Sequence, residues 1–220
     1  MALTFPLTEA QFIEKLPVNS ARLWINEPRQ IDRMANGTIL PASIGDPVWR
    51  GTITLAPSRI TNAAAYEIEA LLSVLDRAGS SFVVYDTRRA YPAYDPDGTI
   101  VDSYAPIITQ LAANNREMSV GGLPVGYTIT PGDMLSFTYG ANPVRRALHR
   151  AVTGATVGAG ESETGLFEVT PAIKPGAMTG ATVRLKKPIM KAILEPNPEY
   201  GSGRPAIVPG ASFGFVQTLR

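Results

Sequence analysis

Val48-Trp49-Arg50-Gly51-Thr52-Ile53-Thr54-Leu55 (VWRGTITL) alternates along its length: Val48, Arg50, Thr52 and Thr54 fall on one side, Trp49, Ile53 and Leu55 on the other. Successive side chains of an extended chain point to opposite faces, so this is a half-buried strand, and Trp49 belongs to its apolar side. Directly downstream the period changes. Ala64, Ile68, Leu71, Leu72 and Leu75 recur at helical spacing as one stripe, with Glu67, Glu69 and Asp76 outside it. The spacing predicts a helix over 61–78, capped by Thr61 and followed by Gly79, which takes the left-handed conformation without a Cβ penalty. Ser81 to Tyr85 (SFVVY) then reads as a buried strand, so 48–85 is strand, helix, strand.

Outward from this unit the chain breaks into short pieces. Upstream, Thr8 to Leu16 predicts a short helix, with Thr8 as cap and Gln11 in the capping-box position, stopped by Pro17. Arg22 to Ile25 reads as a strand, and Asn36-Gly37 between Ile31 and Ile39 predicts a hairpin. Downstream, Asp86 to Gly98 (DTRRAYPAYDPDG) is a polar, aromatic, turn-rich loop. After Gly121-Gly122 come Leu123 to Thr130, Met134 to Tyr139, Arg146 to Val152, Leu166 to Thr170 and Thr182 to Lys186. Turns at Pro131-Gly132-Asp133 and Pro175-Gly176 and a small polar loop, Gly154 to Gly165, punctuate them. Strands this short and this regularly spaced suggest a small barrel. Ile189 to Leu194 and Phe213 to Thr218 read as closing strands around a Gly/Pro loop from Asn197 to Gly210.

The expected fold class is therefore mainly β: a β-barrel or sandwich domain with one packed α-helix, plus a second small β-barrel. The expected division is 1–120 for the first β-rich domain, 121–187 for the small barrel, and 188–220 for strands returning to the first domain.

Composition narrows the chemistry. The 220 residues carry 20 Lys and Arg against 19 Asp and Glu, so no net charge draws the chain to nucleic acid or to an anionic membrane. There is no Cys and one His, His149, which excludes disulfides, thiol catalysis, Cys-based zinc sites and multi-His metal sites. No apolar run approaches the roughly 18 residues of a membrane span. The first residues, MALTFPLTEAQFIEKL, carry Glu9 and Glu14 where a signal peptide needs apolar residues, so synthesis in the cytoplasm without export by the general route is expected.

Asp95-Pro96-Asp97-Gly98 offers two carboxylates and a glycine, but lacks the further oxygen ligands of a calcium loop and reads as a turn. His149, between Leu148 and Arg150 in a strand, has no nucleophile motif and reads as a satisfied barrel histidine. Gly121-Gly122 and Gly158-Ala159-Gly160 lead into no helix and carry no phosphate-binding Lys, so they read as loop glycines. Arg88-Arg89 and Arg145-Arg146, near Tyr91, Tyr94 and Tyr139, can be drawn as a nucleic-acid surface, but the balanced charge favours protein contacts or a solvated face. Arg88, Arg89, Tyr91 and Tyr94 are the residue types enriched at tight protein interfaces, and the alternative is a loop packing on its own domain.

The order of these pieces resembles a family of distal-tail proteins (tail-tip, baseplate-adaptor subunits) of siphophages and gene-transfer-agent-like particles. The resemblance is carried by Trp49 to Leu55 leading into Glu69 to Leu75, and by Arg77-Ala78-Gly79 running into Phe82 to Arg88. It continues through Pro131 to Phe137 before Leu148 to Val152, Leu166 to Ile173 before Pro175-Gly176-Ala177, and Pro188-Ile189-Met190 with Phe213-Gly214-Phe215. It spans about 45–220 and is a likeness of pattern and order. It implies a ring-forming β domain with a small appended barrel and a homo-oligomer, in this family a hexamer. It further implies a tail-tube protein and hub or tip proteins as partners, and a place at the tail tip of the virion. It implies no catalytic residue and no cofactor.

Other readings stay open on the residues alone. A hub or minor tail component is the alternative within the class. A cell-wall hydrolase would use Asp95, Asp97 or Glu161 with Glu163, since glycosidases need two carboxylates across a cleft. A carbohydrate-binding module would use Trp24 or Trp49 with loop tyrosines.

Overall fold

The computed structural model describes residues 3–56, 62–200 and 211–219. The expected helix cap Thr61 and residues 201–210 of the expected Asn197 to Gly210 loop lie outside them. Among the described residues strand far outweighs helix, which is the mainly-β class the spacing predicts.

The elements run β1 Val18–Asn26, β2 Arg29–Arg33, β3 Ile39–Ser43, β4 Val48–Leu55, α1 Asn62–Leu75, β5 Phe82–Tyr85 and α2 Thr99–Asp102. They continue with β6 Ile107–Leu111, β7 Glu117–Gly121, β8 Thr128–Ile129, β9 Met134–Tyr139, β10 Arg145–Ala151, β11 Ala155–Thr156, β12 Phe167–Thr170, β13 Val183–Arg184, β14 Ile189–Leu194 and β15 Ser212–Gln217.

The first sheet has the order β1-β4-β15-β14-β5, antiparallel throughout, and curls into a half-barrel. In β4, Trp49, Gly51, Ile53 and Leu55 are all buried, while the residues between them are not. Gly51 lies where the Phe215 ring crosses the strand, and a Cβ there would sit 2.8 Å from the Arg22 carbonyl oxygen. α1 presents Ala65, Ile68, Leu72 and Leu75, all buried; Ile68, Leu72 and Leu75 join the core formed with Trp49, Ile53, Phe82 and Phe213. The stripe thus runs through Ala65 instead of Ala64, which is exposed. The shift keeps the i, i+3, i+7 row of one helix face.

The N-terminal expectation is corrected. Thr8 to Leu16 holds a single 3-10 turn, Ile13–Lys15. The Gln11 side chain does accept the Thr8 amide (2.9 Å), as in a capping box, but no α-helix follows. Leu7, Phe12, Ile13 and Leu16 are all buried in the first core, and Leu7 is drawn into an extended, parallel bridge with Phe82 directly before the segment. Burial of these side chains contributes roughly 1.5–3 kcal/mol each, against the few tenths per residue that helix propensity offers, so their packing sets the backbone here.

The second sheet has the order β13-β9-β10-β12-β7-β6. A bridge from Ile107 to Thr182 nearly closes it into a barrel. Its core gathers Val101, Ile108, Met118, Val120, Tyr127, Phe137 and Phe167. Residues 101–120, placed with the first unit by the sequence, therefore pack in the second, and the strands β6 and β7 were not legible as such. β14 and β15 lie in the first sheet.

β9 and β10 form a wall shared by both units. Leu135, Phe137 and Ala147 face the barrel core, while Met134 and Leu148 belong to the first core. The seam is tied by Trp49 Nε1 donating to the Leu148 carbonyl (2.7 Å) and by the Ile189 amide donating to Ser136 Oγ (3.0 Å). One hairpin belongs to neither sheet. β2 and β3 pair only with each other, as Asn36-Gly37 predicts, with Gly37 at φ +84° in a five-residue loop.

Candidate interface on the 86–104 segment and the hairpin

The long segment after β5 is pinned by three buried aspartates. Asp86 accepts from the Arg88 amide (3.1 Å), Arg88 Nε (3.1 Å) and Arg88 Nη2 (3.0 Å). Asp95 accepts from the amides of Thr99 (3.1 Å) and Val101 (2.9 Å), so both its oxygens hold the start of α2. Asp133, from the Pro131-Gly132-Asp133 turn, accepts from the Ala93 amide (2.9 Å) and from Thr130 N and Oγ1. Charged acceptors on backbone amides are the strong kind of hydrogen bond, and each would be costly to strand unpaired. The Asp95-Pro96-Asp97-Gly98 stretch is thus a turn with a capping carboxylate, with Gly98 at φ +67°.

These anchors set the four expected interface residues. Arg88 is held by Asp86, and Arg89 Nη1 donates to the Gly132 carbonyl (3.3 Å). Tyr94 stands edge-on to the buried Tyr127, ring centroids 5.1 Å apart, and Lys186 Nζ lies 6.0 Å from the Tyr91 ring centre. The loop therefore packs on its own domain and still leaves Tyr91 and Tyr94 exposed at its surface. Beside it, Tyr91, Asp102, Tyr104, Arg184, Lys186 and Lys187 line an open recess of about 650 Å³. Its three cations are each compensated: Arg184 by Glu9, Lys186 by Asp102 and Lys187 by Glu14.

The other carboxylates do not gather. Glu161 accepts from the Gly158 amide, and Glu163 is near Ser119. Among the described residues no group of three or more His, Asp or Glu side chains is placed to hold a metal ion. Trp49 is fully buried and Trp24 half-buried, with the Arg22 guanidinium 5.3 Å from the Trp24 ring centre.

His149 lies inside the barrel. Its ring stacks on Phe137 (5.3 Å, 14° between planes) and Nδ1 donates to the Pro171 carbonyl (2.8 Å). Nε2 has no partner among the described residues, so the histidine is satisfied on one side only. Burial pushes its pKa down to about 4; the Pro171 bond opposes this and the charge of Lys174 adds to it.

The β2–β3 hairpin, predicted from Asn36-Gly37, stands apart from both sheets. Every residue of both strands is exposed, and the hairpin contributes no side chain to either core. Ile31 and Ile39 are 62% and 53% exposed; with Pro41 they share one face of the ladder. Met34, Leu40 and Ile44 are also exposed. The signal available in the sequence was the number of branched apolar residues flanking Asn36-Gly37 without a matching partner strand.

No protein-family model and no curated protein sequence matches this chain.

Proposed function

We propose that the chain is a structural subunit that works by self-assembly: a distal-tail protein of a non-contractile phage tail, forming a ring that joins the tail tube to the hub. The observation that carries this reading is the β2–β3 hairpin. A two-stranded hairpin alone in water is marginal, and ten exposed strand residues with isoleucines on one face need a surface to cover them. The same face on every copy, docking on a different surface of the next, is a heterologous contact, which closes into a ring when the rotation allows. The balanced total charge lets such contacts bury area without stranding ions. The ring, its hexameric number and the tail partners rest on the resemblance in sequence pattern.

The test is light scattering on the purified chain, alone and with a tail-tube protein. The parent should assemble, and the double variant Ile31→Asp with Ile39→Asp should be monomeric with an unchanged thermal midpoint. A parent that stays monomeric at every concentration and ignores the tube protein removes the proposal.

A further inference from the structure

Arg88 and Arg89, just after β5 of the first sheet, lie within electrostatic reach of Arg150 on β10 of the second, and Asp86 is the one carboxylate that acts on Arg150 with them. That carboxylate is already committed: its side chain is 1% exposed and bonds Arg88 at two guanidinium nitrogens. Arg89 bonds the Gly132 carbonyl, and the Gly132 amide donates to the carbonyl of Ala151 (2.8 Å), the residue next to Arg150. The Arg150 guanidinium lies 5.0 Å from the centre of the Trp49 ring, and its Nε is buried without a hydrogen-bond partner. Neither Arg89 nor Arg150 has a salt bridge among the described residues. Burial, and after it the charge of Arg89, hold the Arg150 guanidinium below its usual range. Arg88 adds to that repulsion, and Asp86 only partly offsets it.

The cluster therefore holds two more cations than anions, each guanidinium fixed by a contact that leaves donors free. The neighbouring recess, where every cation has its acid, shows no such excess. We propose that Arg88, Arg89 and Arg150 form a site for a carboxylate side chain of a partner protein. Guanidinium forks match a carboxylate with two parallel hydrogen bonds. The excess is local, on a chain of net charge +1, which suits one acidic side chain better than a polyanion. Tyr91 and Tyr94, farther along the same segment, are also exposed, and tyrosine and arginine are the residue types enriched at protein contacts. The partner's role as a neighbour in an assembly rests on the function proposed above; the site's chemistry does not.

The experiment titrates the full chain with a capped peptide that carries a single glutamate, at fixed ionic strength, and follows the arginine Nε–H resonances. The Arg89 and Arg150 signals should move and saturate. Arg89→Gln, an exposed change with no core contact, should weaken the peptide by about tenfold, as loss of a charge-assisted pair does. Arg150→Lys, which keeps the charge and removes the fork, should weaken it as well. Resonances that do not move, or an Arg89→Gln chain that binds like the parent, overturn the site. Tighter binding of a ten-residue thymidine oligonucleotide, or of inorganic phosphate, overturns the choice of a protein carboxylate. A chain that stays monomeric in light scattering yet binds the peptide sinks the assembly reading and supports the site. A chain that assembles while its resonances ignore the peptide does the reverse.

Discussion

Replacing His149 with Gln should remove an acid-sensitive component of stability. The folded chain holds this ring neutral, 2% exposed, with burial pushing its pKa down to about 4 from an ordinary 6.5. Between those values the unfolded chain binds a proton there and the folded chain does not. Unfolding then takes up a proton, so stability falls as pH drops. The contribution is constant above about pH 6.5, declines through the window, and reaches its floor below about pH 4. A gap of roughly 2.5 units at ~1.4 kcal/mol per unit is about 3 kcal/mol over the full window. Urea unfolding at about pH 7 and about pH 4.5 should show most of that loss in the parent, beyond whatever the carboxylates contribute. The His149→Gln chain, sharing those carboxylates, should lose about 2–3 kcal/mol less between the two conditions. Equal losses in the two chains, or a His149 ring proton titrating near its ordinary value in the folded state, would refute the reasoning.

Trp49→Phe should cost about 2 kcal/mol by urea unfolding, since it leaves the buried Leu148 carbonyl without its indole donor and thins the ring beneath Arg150. Gly51→Ala should destabilise by about 1–3 kcal/mol, because the new methyl meets the Phe215 ring and the Arg22 carbonyl; a neutral result would mean β1, β4 and β15 are less closely layered than described. Asp95→Ala should cost about 1–2 kcal/mol and raise hydrogen exchange at the Thr99 and Val101 amides, with the first core unaffected; unchanged protection at both amides would show that another group holds α2.

The sequence by itself determined the local elements whose signal is contained in a few consecutive residues. The alternation of Val48–Leu55, the helical stripe ending at Leu75, the Asn36-Gly37 turn and the burial of Trp49 all follow from side-chain period and turn chemistry. Only the tertiary structure decided which pieces share a core. β6 and β7 join the barrel through pairings with distant segments such as Ile107 with Thr182, and the segment before β1 is drawn onto the first core, with Leu7 bridged to Phe82. The arginine cluster was half visible: Arg88-Arg89 stood out, while Arg150 reaches them only because β10 runs along the seam. Strand pairing and the meeting of charges depend on distance in space, and a period read along the chain carries no term for that.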